Sequence, residues 1–213
     1  MKPFLPIARV LIGLAAAFTW CCGGTPPAAP GGAGTTPPDV SCNVYPPQAT
    51  SPYVLPYARG TAAFVGNTTG HGDPQRYAVD FVMPIGSPIV AARSGQVVGI
   101  EGQFVDTDHV FGHENYVAVQ HDDGTVGEYA HLTHEGAVVA VGQAVEQGQL
   151  IGRSGHSGNS TAPHLHFHVN RCFVKTPSWL NLPSDCAQSL PLTFRNTESH
   201  PCGLVVGRVY QAS

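Results

Sequence analysis

Residues 164–169 read His-Leu-His-Phe-His-Val, a strict alternation of polar and apolar positions. Phe167 and Val169 favour extended backbone, so the run predicts a β-strand. Side chains alternate faces along a strand. Leu165, Phe167 and Val169 then point to a core, and His164, His166 and His168 to the opposite face. Imidazoles lined up this way are costly unless they meet water, a metal or hydrogen-bond partners. Residues 154–162 just before them are Ser-Gly-His-Ser-Gly-Asn-Ser-Thr-Ala. Such small, polar residues predict a loop that leaves the histidine face open.

Short β-like runs continue over most of the chain from residue 58. Strands are predicted over 77–83, 88–92, 95–100, 115–120, 125–131, 137–141, 149–151 and 164–169, with closing strands over 190–194 and 204–210. No stretch there keeps helical periodicity beyond a turn or two. Residues 120–125 hold an Asp-Gly hairpin signal, and 141–151 read as a second compact β-turn-β unit. The 25 glycines and 19 prolines suit many tight turns. The expected fold is all-β, a single antiparallel β-sandwich or part-open barrel with short loops and little helix.

Composition adds the setting. The 213 residues suffice for one domain. A net charge of -4 with 11% charged residues gives no polybasic footprint, so no nucleic-acid partner is expected. Lys2 and Arg9 precede an apolar run from Val10 to Phe18, the pattern of a secretory signal over residues 1–22. That run is too short to span a bilayer as a helix. Cys21 or Cys22 is a candidate lipid-modified membrane tether, although Trp20 stands where a small residue would be wanted. Residues 23–38 are Gly, Pro, Ala and Thr and read as a flexible linker. The folded domain is expected over 39–213. The destination is exported: periplasm or cell envelope, lipid-anchored or secreted. Cys42, Cys172, Cys186 and Cys202 suggest two disulfides with three pairings open. Cys172–Cys186 would close a short loop, and Cys42–Cys202 would tie the domain's ends together. Without a C-x-x-C pair, a cysteine zinc site is disfavoured.

The histidine face invites a search for partners. Asp80 sits inside an apolar strand, between Val79 and Phe81, where a carboxylate needs a strong partner. His71 lies in a Gly-rich loop just upstream. His131 ends a strand, on the same face as Tyr129 by simple alternation. A catalytic zinc site keeps three protein ligands of this kind and one open position.

Four segments carry a resemblance: YAVDFVMPIGSPIVAARSG at 77–95, EYAHL at 128–132, VGQAVEQGQ at 141–149 and SGHSGNSTAPHLHF at 154–167. In these the chain resembles the lysostaphin-type (LytM-like) zinc metallopeptidases, which cleave peptidoglycan cross-links. The core motifs span 71–169. The resemblance implies a LytM-like fold with a duplicated hybrid motif and one Zn2+ per chain. It implies His71, Asp80 and His166 as metal ligands, with His131 and His164 as catalytic histidines that do not bind the metal. It implies peptidoglycan stem or cross-bridge peptides as substrate, glycyl-glycine bridges or D-alanyl-diaminopimelate links, with the leader and tether suiting the second. A monomer is expected. The family commonly places its first histidine four residues before the aspartate, but Arg76 stands there and His71 is nine residues ahead. His168 is expected beside the ligands or at the rim, and His113 and His121 at the surface. His109, His134, His156 and His200 receive no role. The alternative function is a non-catalytic LytM-like module that binds the wall or activates another hydrolase.

Overall fold

The computed structural model describes residues 42–68, 70–173, 186 and 188–213. The leader, linker and candidate lipid-modified cysteines lie outside the described residues. The strands are β1 (Ala62–Asn67), β2 (Val79–Val82), β3 (Pro88–Val90), β4 (Gly95–Glu101), β5 (Tyr116–Gln120), β6 (Val126–Ala130), β7 (Leu132–Ala137), β8 (Ala144–Val145), β9 (Leu150–Ser154), β10 (His164–Asn170) and β11 (Val209–Gln211). An 8-stranded sheet runs β11-β1-β2-β10-β6-β5-β4-β8, and a 3-stranded sheet runs β3-β9-β7. Every strand pair is antiparallel. The protein is all-β, as expected, and its sheets do not close into a barrel.

The histidine strand β10 lies inside the large sheet, between β2 and β6. Its alternation holds on the core side. Leu165, Phe167 and Val169 are fully buried. The Phe167 ring meets Tyr129 at 4.9 Å and Phe194 at 6.1 Å, and Phe81 meets Tyr57 at 5.4 Å. Each such side chain contributes roughly 1.5–3 kcal/mol by leaving water. The Tyr129 hydroxyl accepts the Ala92 N–H at 2.7 Å, so even this polar tip is satisfied in the core.

The Asp-Gly turn joins β5 to β6 as a hairpin, with Gly124 at φ 82 and the His121 N–H donating to Thr125 O. Both disulfides take the expected pairing, Cys42–Cys202 and Cys172–Cys186. Other expectations fail for identifiable reasons. Residues 138–141 are not a strand: β7 ends at Ala137, and Val138 and Val141 run exposed over the surface. Residues 141–151 do not form a self-contained unit, because β8 pairs with β4 while β9 pairs with β3 and β7. Residues 190–194 bury Leu192 and Phe194 without ladder pairing. At the C-terminal end only Val209–Gln211 forms a strand. β1 escaped notice because Gly66 and paired alanines blur its alternation.

Phe167→Ala should cost roughly 3–5 kcal/mol in urea unfolding of the metal-free protein. A loss below about 1 kcal/mol would contradict this packing.

Candidate metal centre

The register of β2 against β10 sets His166 opposite Asp80 and His164 opposite Val82. Directly paired residues share a face, so Asp80 turns to the histidine side while Phe81 enters the core. His166 Nδ1 lies 2.9 Å from Asp80 Oδ1. His71, in the connection from β1 to β2, brings Nε2 to 3.0 Å from both carboxylate oxygens. Asn67 turns that connection back: its Oδ1 accepts the Gly70 N–H at 2.8 Å, and its Nδ2 lies 3.4 Å from His71 Nε2. The nine-residue spacing is therefore bridged by a turn. The His71 and His166 rings meet edge-on at 4.8 Å, and His71 Nδ1 is buried with no hydrogen-bond partner. Burial alone would push the Asp80 carboxyl up. Hydrogen bonds from His166 and His71, and the nearby imidazoles, outweigh it and hold the group well below the usual carboxylate range.

His131 reaches the same place by another route. Tyr129 points into the core, and alternation would send His131 there too. Instead His131 has φ 59, which turns its ring to the histidine side, 4.6 Å from His164 and 5.8 Å from His166. A shared face with Tyr129 was the wrong expectation, because the left-handed backbone at His131, between β6 and β7, breaks the alternation. Left-handed backbone in a non-glycine residue costs about 1–3 kcal/mol and is held by its surroundings. Here the Nδ1–H donates to Ser157 O at 2.7 Å, and the Leu132 N–H donates to Asn115 O at 3.0 Å. Burial, then the neighbouring His166 and His164, push the His131 imidazole down to about 3. It is neutral near pH 7, with its lone pair on Nε2. His164 donates Nδ1–H to Ala162 O at 2.7 Å and holds Nε2 3.5 Å from Asp80 Oδ1.

The small polar loop before β10 is shaped by close contacts. Ser157 Oγ donates to Leu132 O at 2.7 Å and accepts the Asn115 N–H at 3.0 Å. Asp106 accepts the His156 N–H at 2.7 Å, and Glu114 accepts the Asn159 N–H at 3.1 Å. Gly155 sits so close to the Thr133 backbone that no Cβ would fit. The histidine face is open only at its start. Side-chain exposure is 12% at His164, 5% at His166 and nil at His168, so His168 is not a rim residue. Phe173, next to the Cys172–Cys186 disulfide, lays its ring against Gly99 of β4 and 6.4 Å from the Tyr116 ring.

One donor atom each from His71, Asp80 and His166 lie within 4.8 Å of one another, and His131, His164 and His166 form a second such group. Two imidazole nitrogens and a carboxylate oxygen suit zinc. His121 is buried, not a surface residue, with Nδ1 2.9 Å from Ser94 O. His113 stacks on Phe104 and pairs with Asp108. His200 is buried and accepts the Phe194 N–H. Sequence reasoning missed Asn67, Ser157 and Asn170. Only Asn170 left a signal, two residues beyond His168 on the same strand face.

An all-β scaffold with an imidazole–carboxylate cluster and two further imidazoles beside it is a plan suited to metal-assisted hydrolysis. Residues 74–177 match the model of Peptidase family M23. His71 lies just ahead of the matched residues. The chain is 39% identical over 90 residues to the peptidoglycan DD-endopeptidase ShyA of Vibrio cholerae, covering 42% of this chain and 19% of that protein. It is 42% identical over 92 residues to lysostaphin of Staphylococcus simulans, covering 43% of this chain and 17% of that one. It spans about a fifth of the length of these curated relatives. The solved structure of Staphylococcus simulans lysostaphin aligns at 34% identity and a TM-score of 0.46, covering 59% of this chain and 49% of that chain.

Glu128 faces the same side of the sheet, opposite His168 on β10 and Ala118 on β5. Burial, then the charge of Glu114, push its carboxyl up to about 7. A carboxyl raised in the folded state contributes most below its unfolded value of about 4.5 and loses that contribution as pH rises towards about 7. Glu128→Gln should therefore be the more stable protein at about pH 8, by roughly 1–2 kcal/mol, and should lose this advantage at about pH 4. Denaturant unfolding at both pH values checks this, and an unchanging difference would contradict it.

Proposed function

We propose that this chain is a zinc-dependent metalloendopeptidase that hydrolyses peptide cross-links of bacterial peptidoglycan. The observation that carries the reading is the convergence of His71 Nε2, the Asp80 carboxylate and His166 Nδ1 beside His131 and His164. His71, Asp80 and His166 would hold the zinc. Bound there, zinc would supply a Lewis acid that polarises a peptide carbonyl and makes a water molecule easier to deprotonate. His131 and His164 are the catalytic pair. His131 is neutral with an acceptor nitrogen at the site, which suits taking a proton from the attacking water. His164, whose Nε2 is turned to the cluster 3.5 Å from Asp80 Oδ1, would stabilise the developing oxyanion or pass a proton to the leaving amine. The carboxylate of Asp80 orients the His71 and His166 rings and would offset the charge of a bound metal.

The substrate class is supported by the names of the relatives, which describe peptidoglycan DD-endopeptidases and a glycyl-glycine endopeptidase. Two disulfides suit an oxidising compartment. Among the described residues no helix is long and apolar enough to cross a membrane. A signal over 1–22, a linker over 23–38 and a lipid-modified Cys21 or Cys22 would deliver residues 39–213 to the cell envelope as a monomer.

His166→Ala should lose both zinc and hydrolysis of purified sacculi. His164→Ala should keep one zinc per chain and lose hydrolysis by roughly 100-fold or more. Metal analysis and mass spectrometry of the released fragments, with and without chelator, read both outcomes. Full hydrolysis by His164→Ala, or by the chelated wild type, would overturn the reading.

A further inference from the structure

Beyond the cluster, the polar face of β10 continues as a buried chain of hydrogen bonds. His166 Nε2 lies 3.2 Å from His168 Nδ1, and His168 Nε2 lies 2.9 Å from Asn170 Nδ2. His168 is fully buried and Asn170 nearly so. Asn170 Oδ1 is buried without a hydrogen-bond partner. Such an orphan calls for an explanation, since buried acceptors are almost always satisfied.

The chain of bonds has two possible directions. In the first, the Asn170 amide donates to His168 Nε2, His168 Nδ1–H donates to His166 Nε2, and His166 Nδ1–H donates to Asp80. This direction leaves Asn170 Oδ1 idle and puts a proton on the His166 nitrogen that faces the carboxylate. In the second, every bond is reversed. His166 Nε2–H donates to His168 Nδ1, and His168 Nε2–H donates to Asn170 Oδ1 after a half-turn of the amide. His166 Nδ1 is then a bare lone pair. Each ring keeps one proton in both forms: the proton leaves Nδ1 and one arrives at Nε2. The net charge of the relay is unchanged. Without a cation the second form sets a lone pair against the Asp80 carboxylate. With a cation that lone pair is what the metal needs.

We infer that His168 and Asn170 are positioning residues for His166, forming a relay whose direction reverses when a divalent cation enters the His71–Asp80–His166 cluster. The inference rests on the metal reading above; in the loaded state the amide oxygen would accept from His168, and the amide N–H groups would take the position that the oxygen leaves.

The test uses the protein labelled with 15N-histidine, with and without zinc. The tautomer of each ring is read from its nitrogen chemical shifts. His168 should carry its proton on Nδ1 without zinc and on Nε2 with zinc. A chelator competition gives the zinc affinity of variants. His168→Leu should weaken it roughly 10–100-fold, and His168→Gln, whose amide oxygen can accept from His166 Nε2–H, should recover most of the loss. Thermal unfolding of the metal-free variants separates this from general destabilisation. Should His168→Leu fail to fold, the wild-type tautomers still decide the matter. Zinc uptake with an unchanged His168 tautomer overturns the relay alone. No zinc uptake by the wild type overturns the metal reading and the relay with it.

Discussion

The Asp80 carboxylate is a charge placed inside an apolar strand, and the structure around it is arranged to make that tolerable. A buried carboxylate without partners costs several kcal/mol. The register of β2 against β10 solves the problem by setting Asp80 opposite His166. The same register sends Phe81 and Leu165 into the core. A slip of one residue would exchange the two faces, burying the charge and exposing the aromatic ring. The packing that stabilises the sheet is therefore also what aims the polar cluster, and His71 completes it from a turn that Asn67 holds.

The rest of the centre is built where regular structure breaks. His131 reaches the cluster only because its backbone is left-handed. Ser157 and Asn115 hold that conformation by tying the loop before β10 to the start of β7. The glycine at 155 lets two backbones touch where any side chain would separate them. Strain at one residue is thus offset by several ordinary hydrogen bonds, as is common where a site must be pre-organised. At the other end of the histidine face, His168 is fully buried. One strand face passes from accessible to dry within five residues, and its chemistry changes accordingly.

Much of this was legible in the sequence where a period of two applies. The alternation at 164–169 gave the strand, its core side and its histidine side. The Asp-Gly pair gave the hairpin, and the isolated carboxylate between Val79 and Phe81 gave Asp80 as a group in need of partners. What escaped depends on contacts distant in the chain. Val138 and Val141 look like strand residues, but the sheet ends before them. The left-handed turn at His131 has no glycine to announce it. The roles of Asn67 and Ser157 follow from which loops meet, and periodicity carries no such information. His121 was misplaced for a related reason: imidazoles are equally at home buried or exposed, so only packing decides.

The most direct measurement is the X-ray absorption spectrum of the zinc-loaded protein. The account requires two imidazole rings and oxygen ligands, with metal–ligand distances of about 2.0–2.2 Å and no sulfur. Three imidazoles would move the metal to the neighbouring His131, His164 and His166 group. A spectrum of that kind, or one with a single imidazole, would contradict a centre organised on Asp80.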